Sequence, residues 1–365
     1  MDSNHQRSPS TPISSSEAQE LMSLLTGEES PSTTNKSLNE IPLFEFTEAD
    51  YIAVQCELNS TFDQLLRERW ISSMKAGSMN YSIESTGSLQ TKIISSNKYR
   101  FVAKLLEGRG PGKRRTPDTM LSLAMPFNPD KFNFTKVNSK EILFRIKCYN
   151  EEMKAHLEAT VLVNKSPIEY CSSLLVPYLE RCLPQVMTEQ ALTLAVSILA
   201  LSDFSSLRLG YNSLGSMASV NHLHWHIYYL DHRLLIETLP VVDYVLQEWP
   251  IPAIVFEIAE LNDESIAIII KDVMRIIDFC LDDGQICHNI FITRTPMGMI
   301  RIFIWLLEPR WGQKDHANLN VAMSELSGYF MCKLRDSFAT IDEAKCLFTL
   351  RSVVSVHEKA LPLLQ

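Results

Sequence analysis

Residues 221–229 run Asn221-His222-Leu223-His224-Trp225-His226-Ile227-Tyr228-Tyr229, and three of the chain's nine histidines fall in them at alternate positions. Alternate side chains of an extended strand share a face, so this pattern predicts three imidazoles on one side and Leu223, Trp225 and Ile227 on the other. Imidazoles about 6–7 Å apart in one row are costly to bury without hydrogen-bond partners, which weighs against a purely structural role. Two chemistries fit such a row. Neutral imidazoles can ligate a transition metal, although a strand site of this kind needs further ligands and no H-E-x-x-H or cysteine pair supplies them. Alternatively, an imidazole can attack phosphorus and form a phosphoramidate that is readily displaced.

The residues just upstream favour phosphorus chemistry. Gly210-Tyr211-Asn212-Ser213-Leu214-Gly215-Ser216 reads as a glycine- and hydroxyl-bearing turn entering the histidine strand. Backbone amides in such a turn can cradle phosphate oxygens, with Asn and Ser as added donors. Joined to the histidines, the turn predicts a nucleophile beside a phosphate site.

Working outward, apolar spacing predicts helices over 62–74, 188–201 and 265–281. Strand character appears over 142–146, 159–163, 174–176, 207–211, 220–230, 289–293 and 300–306, with a turn at Ser166-Pro167. The class is α+β with a mainly antiparallel sheet and packed helices. The order of helix then strands recurs weakly after Glu237, which suggests two related halves, 41–235 and 236–360. Residues 1–40 hold 17 Ser, Thr or Pro and no aromatic residue, a composition that predicts disorder, with at most a short amphipathic turn over 17–25. Residues 107–117 form a Gly/Pro loop with four cations, among them Lys113, Arg114 and Arg115. It reads as a solvated surface loop or a flexible phosphate clamp.

The whole chain of 365 residues bounds these readings. Hydrophobic residues make up 45% and charged residues 21%, enough for a sizeable core. The net charge of −9 and the lack of a long basic block argue against nucleic acid and anionic membrane as partners, though not against a basic pocket for one phosphorylated ligand. No apolar run approaches a membrane span, and the N-terminus lacks a signal-peptide pattern. Eight scattered cysteines without C-x-x-C spacing read as reduced core thiols, and the expected compartment is the cytosol.

The His-φ-His-φ-His-φ-φ segment, preceded by Asn212 and Gly215, resembles the histidine triad superfamily of nucleotidyl hydrolases and transferases. It is closer still to the GDP-hexose phosphorylase branch, whose signature resembles Gly210 to Gly215 joined to Asn221 to Leu230. Further similarities are Arg100-Phe101-Val102-Ala103, Glu107-Gly108-Arg109, Lys131-Phe132-Asn133-Phe134, Glu141-Ile142-Leu143-Phe144, Ser166-Pro167-Ile168-Glu169-Tyr170 and His288-Asn289. Histidine at 226 is similar to the animal members acting on GDP-D-glucose, because plant members acting on GDP-L-galactose carry glutamine there.

The resemblance implies a histidine-triad-like fold and a nucleotidyltransferase passing GMP from GDP-glucose to inorganic phosphate, with no cofactor and no metal. It implies that His224 is the nucleophile and that His222 and His226 orient it and donate to phosphate oxygens. Asn212, Ser213, Gly215 and Ser216 would cradle phosphate, Asn164 would contact ribose, and Lys314 would add charge. A nucleoside-diphosphate-sugar hydrolase and a guanine-nucleotide-binding protein with little turnover are the alternatives. Two segments depart from the family pattern: Cys171-Ser172 replaces Gly-His, and Tyr329 follows Gly328 where His is usual. Ser172 is expected to offer phosphate a neutral hydrogen bond where a histidine would offer a charged one.

Overall fold

The computed structural model describes residues 41–52, 60–81, 83, 90–96, 98–111, 119–312 and 319–364. Residues 1–40, the loop cations Lys113, Arg114 and Arg115, and Lys314 lie outside the described residues. In chain order the strands are β1 (Leu43–Phe46), β2 (Thr91–Ser95), β3 (Arg100–Leu105), β4 (Ile142–Asn150), β5 (Ala155–Val163), β6 (Tyr170–Pro177) and β7 (Leu207–Asn212). They continue with β8 (Trp225–Tyr229), β9 (Val241–Val242), β10 (Val245–Leu246), β11 (Ile254–Ile258), β12 (Cys287–Arg294), β13 (Ile300–Leu307) and β14 (Tyr329–Cys332). The helices that matter to the site are α1 (Thr61–Lys75), α2 (Glu189–Leu201), α3 (Asp263–Asp283) and the single turn α4 (Met323–Leu326).

One 11-stranded sheet runs in the order β1-β4-β5-β6-β8-β7-β12-β13-β11-β10-β9, and β14-β3-β2 form a second sheet. Pairing is antiparallel except for β1 with β4 and β3 with β14. The expected α+β class with a mainly antiparallel sheet is what the chain adopts. Because β7 pairs with β12, strands from both sides of residue 236 belong to one continuous sheet.

The three long helices cover one face of the large sheet. On α3, Ile266, Ile270, Val273, Ile277 and Cys280 recur at helical spacing and are buried. Asn262 caps its first turn through Ser265 N–H (2.7 Å), and Gly284 ends it at φ +68°, a conformation glycine takes without Cβ strain. α2 is buried along its length beneath β7 and β8, where Leu207, Leu209, Tyr211, Trp225, Ile227 and Tyr229 meet it in one core. The opposite face carries Tyr228, Phe291, Phe303 and Trp305 against Phe101, Phe330 and Trp249 of the small-sheet side. Buried Asp63 ties these layers together. It accepts from the Tyr229 hydroxyl, from Ser202 Oγ (2.8 Å) and from Asp203 N–H (2.9 Å), fixing the end of β8 to α1 and to the exit of α2.

The structure corrects one element. The expected strand over 220–230 is a strand only from Trp225 to Tyr229. Leu223 N–H donates to the Leu183 carbonyl (2.8 Å) and His224 N–H to Gln185 Oε1 (2.9 Å), so loop 182–188 takes the donors a neighbouring strand would have used. The alternation survives without the ladder. Leu223, Trp225 and Ile227 are all fully buried in the helix-side core.

Candidate active site

The opposite face of residues 222–226 borders a cavity of about 490 Å³. His224 and His226 line it, their ring centroids 5.4 Å apart. His222 does not line it. That ring is fully buried behind Phe134 and Phe127, at centroid distances of 5.5 and 5.2 Å. Its Nδ1 accepts from the Phe134 backbone N–H (3.1 Å), so the proton of the neutral ring sits on Nε2. Burial first, then the charge of His224, lowers the His222 pKa to about 4, with the Leu179 carbonyl acting the other way. His222 is therefore neutral at pH 7.

His222 instead acts on its neighbour through its backbone. Its carbonyl lies 2.8 Å from His224 Nδ1, and Gln185 Oε1 lies 2.9 Å from the same nitrogen. The amide orientation of Gln185 is forced. Its oxygen faces the His224 backbone N–H, which can only donate, while its nitrogen faces the carbonyls of Asn212 (3.0 Å) and His224 (3.3 Å), which can only accept. Two acceptors at Nδ1 put the His224 proton there and leave Nε2 with the lone pair. A neutral imidazole in this tautomer is a nucleophile.

One wall of the cavity is apolar, with Phe134, Leu162, Leu174 and Val220 in one cluster. Arg109, Lys165 and Lys333 also line it, together with Glu141 and Glu325. Lys165 pairs with Glu141 (3.3 Å), and Arg109 Nη1 donates to the Ser166 carbonyl. Glu325 is buried, which raises its carboxyl pKa, while bonds from Ser324 Oγ (2.8 Å) and Ala322 N–H (3.1 Å) oppose the rise. Apolar surface for a ring beside cations suits a nucleotide. Among the described residues, no group of three His, Cys, Asp or Glu side chains is placed to hold a metal ion.

The other expected site residues divide. Asn164, at the end of β5, lines the cavity with its amide held by Ser172 Oγ (3.3 Å) and Ser166 N–H (3.1 Å). Asn212 lines it too, its Oδ1 accepting from Met323 N–H (3.0 Å) and Asn289 Nδ2 (2.7 Å). Ser213, Gly215 and Ser216 do not border the cavity. Ser213 Oγ accepts from His288 N–H (2.9 Å), Ser216 bonds Asn289, and a Cβ at Gly215 would lie 2.8 Å from Trp311. The turn therefore braces Asn212 from behind, and residues 217–220 form the wall in its place. Gly210 has a separate reason to be glycine: its Cβ would fall 2.3 Å from Met323 Sδ, so the missing side chain lets α4 approach the site.

The two departures from the family pattern meet in one place, and neither touches the cavity. Ser172 Oγ accepts from Ile168 N–H (3.2 Å), and the Tyr329 hydroxyl donates to the Ile168 carbonyl (3.0 Å) and to Glu169 (2.9 Å). Ser172 is fully buried, so the expected hydrogen bond from it to phosphate is not available. Gln185 and Lys333 carry no signal in the residue pattern, whereas Arg109, Phe134 and Glu325 stand in family-like segments that do not by themselves mark them as site residues.

Among known proteins, the family model described as "GDPGP1-like, N-terminal domain" matches residues 61–228, and "GDPGP1-like, C-terminal domain" matches residues 237–361. The chain belongs to the GDPGP1-like family. Its relatives include GDP-D-glucose phosphorylase 1 of Danio rerio, 33% identical over 84% of this chain and 92% of the relative, and that of Homo sapiens, 35% identical over 78% and 77%. GDP-L-galactose phosphorylase 2 of Arabidopsis thaliana is 29% identical over 81% of this chain and 73% of its own length. In fold, this GDPGP1-like chain resembles yeast Ap4A phosphorylase Apa2 in complex with Ap4A, with a TM-score of 0.55 and 15% identity over 80% of this chain and 97% of that one.

A stability prediction arises from His288, which the sequence pattern singled out. The ring stacks on Tyr211 at 5.6 Å, both its nitrogens are buried with no hydrogen-bond partner among the described residues, and burial lowers its pKa to about 4. In the unfolded chain the ring takes a proton below its ordinary 6.5, whereas the folded protein refuses it until about 4. Its contribution is thus complete above pH 6.5 and is lost as pH falls toward 4, by up to roughly 3 kcal/mol. His288→Phe should shrink the drop in Tm between pH 7 and pH 5 measured by thermal melts. An unchanged drop would contradict the assignment.

Proposed function

We propose that the protein is a GDP-hexose phosphorylase acting on GDP-D-glucose. The observation that carries this reading is the Nδ1–H lock on His224, which turns Nε2 into a nucleophile in a cavity with an apolar wall and three cations. In the first step the Nε2 lone pair attacks the phosphorus bonded to guanosine, the bridging P–O bond breaks, and glucose 1-phosphate leaves with the electron pair. In the second, an oxygen of inorganic phosphate attacks the same phosphorus, the P–N bond breaks and GDP departs. His224 returns to its starting tautomer. Two displacements retain configuration at phosphorus and give ping-pong kinetics.

In this reading His226 faces the phosphoryl oxygens beside His224, Asn164 faces the ribose, and Asn212 is presented by the turn behind it. His222 sets the tautomer of His224 through its carbonyl. The family relatives named as GDP-D-glucose phosphorylases support glucose as the hexose. All the described cysteines are free, and no helix among the described residues is long and apolar enough to cross a membrane. Free thiols suit a reducing compartment, and the cytosol is the proposed location.

The test is product analysis with GDP-glucose, with and without phosphate, after exhaustive chelation. The proposal expects glucose 1-phosphate and GDP in equal amounts, in proportion to added phosphate, with no loss on chelation. GMP at the same rate without phosphate would make the protein a hydrolase. Binding without product would make it a nucleotide-binding protein.

A further inference from the structure

We infer that Gln185 is a positioning residue for His224, holding the nucleophile's main chain and ring from one buried amide. This rests on the reading of His224 as the nucleophile. Gln185 lies in Leu183-Pro184-Gln185-Val186, a loop without a recognisable motif, and is 1% exposed. An amide side chain can accept two hydrogen bonds and donate two. Here all four places are filled, and each serves the site: His224 N–H and Nδ1 at the oxygen, and the carbonyls of Asn212 and His224 at the nitrogen.

The loop is itself anchored. Gln185 N–H donates to Asn221 Oδ1 (2.8 Å), the Gln185 carbonyl accepts from the Tyr211 hydroxyl (2.9 Å), and Asn221 Nδ2 donates to the Met125 and Pro126 carbonyls. The amide therefore clamps β7 at Asn212 to the segment entering β8 where no β-ladder joins them. It does so at the atom whose protonation decides whether Nε2 is nucleophilic. When Nε2 bonds to phosphorus, the ring gains positive charge, and two carbonyl-type oxygens facing Nδ1–H stabilise it. A residue that only filled space would not need its oxygen at Nδ1. The titratable and charged groups around His224 are His222 and His226 on its own segment, with Arg109, Lys165, Lys333, Glu141 and Glu325 on the other cavity walls.

Two variants of the full chain test this. Gln185→Met removes the amide at similar size and should lower kcat about 10- to 100-fold while KM for GDP-glucose changes less than about threefold. Gln185→Glu keeps an oxygen at Nδ1–H and adds negative charge, which favours the imidazolium. The acid limb of its kcat/KM profile should rise by about one pH unit or more. Histidine NMR titration without substrate should show the same rise for His224, its resonance assigned by its loss in His224→Ala. That titration separates the two readings, because it reports on Gln185 even if wild type fails to turn over GDP-glucose. An unmoved His224 titration in folded Gln185→Glu, or wild-type kcat in folded Gln185→Met, would overturn the inference.

Discussion

His224→Ala should lower kcat/KM for GDP-glucose by at least about 10⁴-fold while leaving the sugar nucleotide measurably bound. In the proposed reaction this substitution removes the group that forms the covalent bond, which sets the size of the effect. His226 shares the cavity, but the Nδ1 lock belongs to His224: the His222 carbonyl and Gln185 Oε1 both face that ring. Binding should persist because Phe134, Leu162, Leu174 and Val220, together with the three cations, are untouched by the substitution. Steady-state kinetics and equilibrium dialysis measure the two quantities separately. Turnover within tenfold of wild type would remove His224 from the mechanism.

The second large effect is on stability. Arg208 projects from β7 on the same face as Gly210 and Asn212, and its Nε lies 2.7 Å from Glu237 Oε1 with both side chains buried. The same carboxylate accepts from Thr293 Oγ1 on β12 (2.9 Å) and from Leu234 N–H (3.2 Å). Glu237 thus links the strand bearing Asn212 to the next strand of the sheet. Glu237→Ala leaves the Arg208 guanidinium buried without its counter-ion, which costs about 3–5 kcal/mol. The double variant Arg208→Met with Glu237→Leu should recover most of that loss, because an apolar pair has no charge to desolvate. Urea midpoints with constant m-values would measure both. A loss below about 1 kcal/mol in the single variant would mean that the pair contributes little.

Much of the frame was legible because burial writes itself into spacing. Leu66 and Trp70 on α1, or Ile266, Ile270 and Val273 on α3, recur at helical intervals because one side of each helix faces the sheet. The same logic overextended β8. Leu223 keeps the alternation of Trp225 and Ile227, yet alternation reports which way side chains point, not which partner takes the backbone hydrogen bonds. The glycine- and serine-bearing turn was legible as a turn. Its composition did not say which side its hydroxyls take, and Ser213 and Ser216 face β12. Gln185 was silent for a related reason. Its role is a set of bonds between one side chain and distant main chain, which has neither period nor motif.

The departures at Ser172 and Tyr329 show how a pattern difference can be read too directly. For Ser172 the difference suggested a neutral contact with phosphate in place of a charged one. Both instead hold the main chain of Ile168, one at its N–H and the other at its carbonyl, behind the wall that carries Asn164. Neither Ser172 nor Tyr329 lines the cavity.

The proposed bond between GMP and His224 can itself be captured. Wild-type protein incubated with GDP-glucose in the absence of phosphate should be quenched, digested and mapped by mass spectrometry. GMP is expected on the peptide containing His222, His224 and His226, localised by fragmentation to His224 and discharged as GDP when phosphate is added. Product formation with no such adduct, or an adduct on a different residue, would contradict the proposed bond.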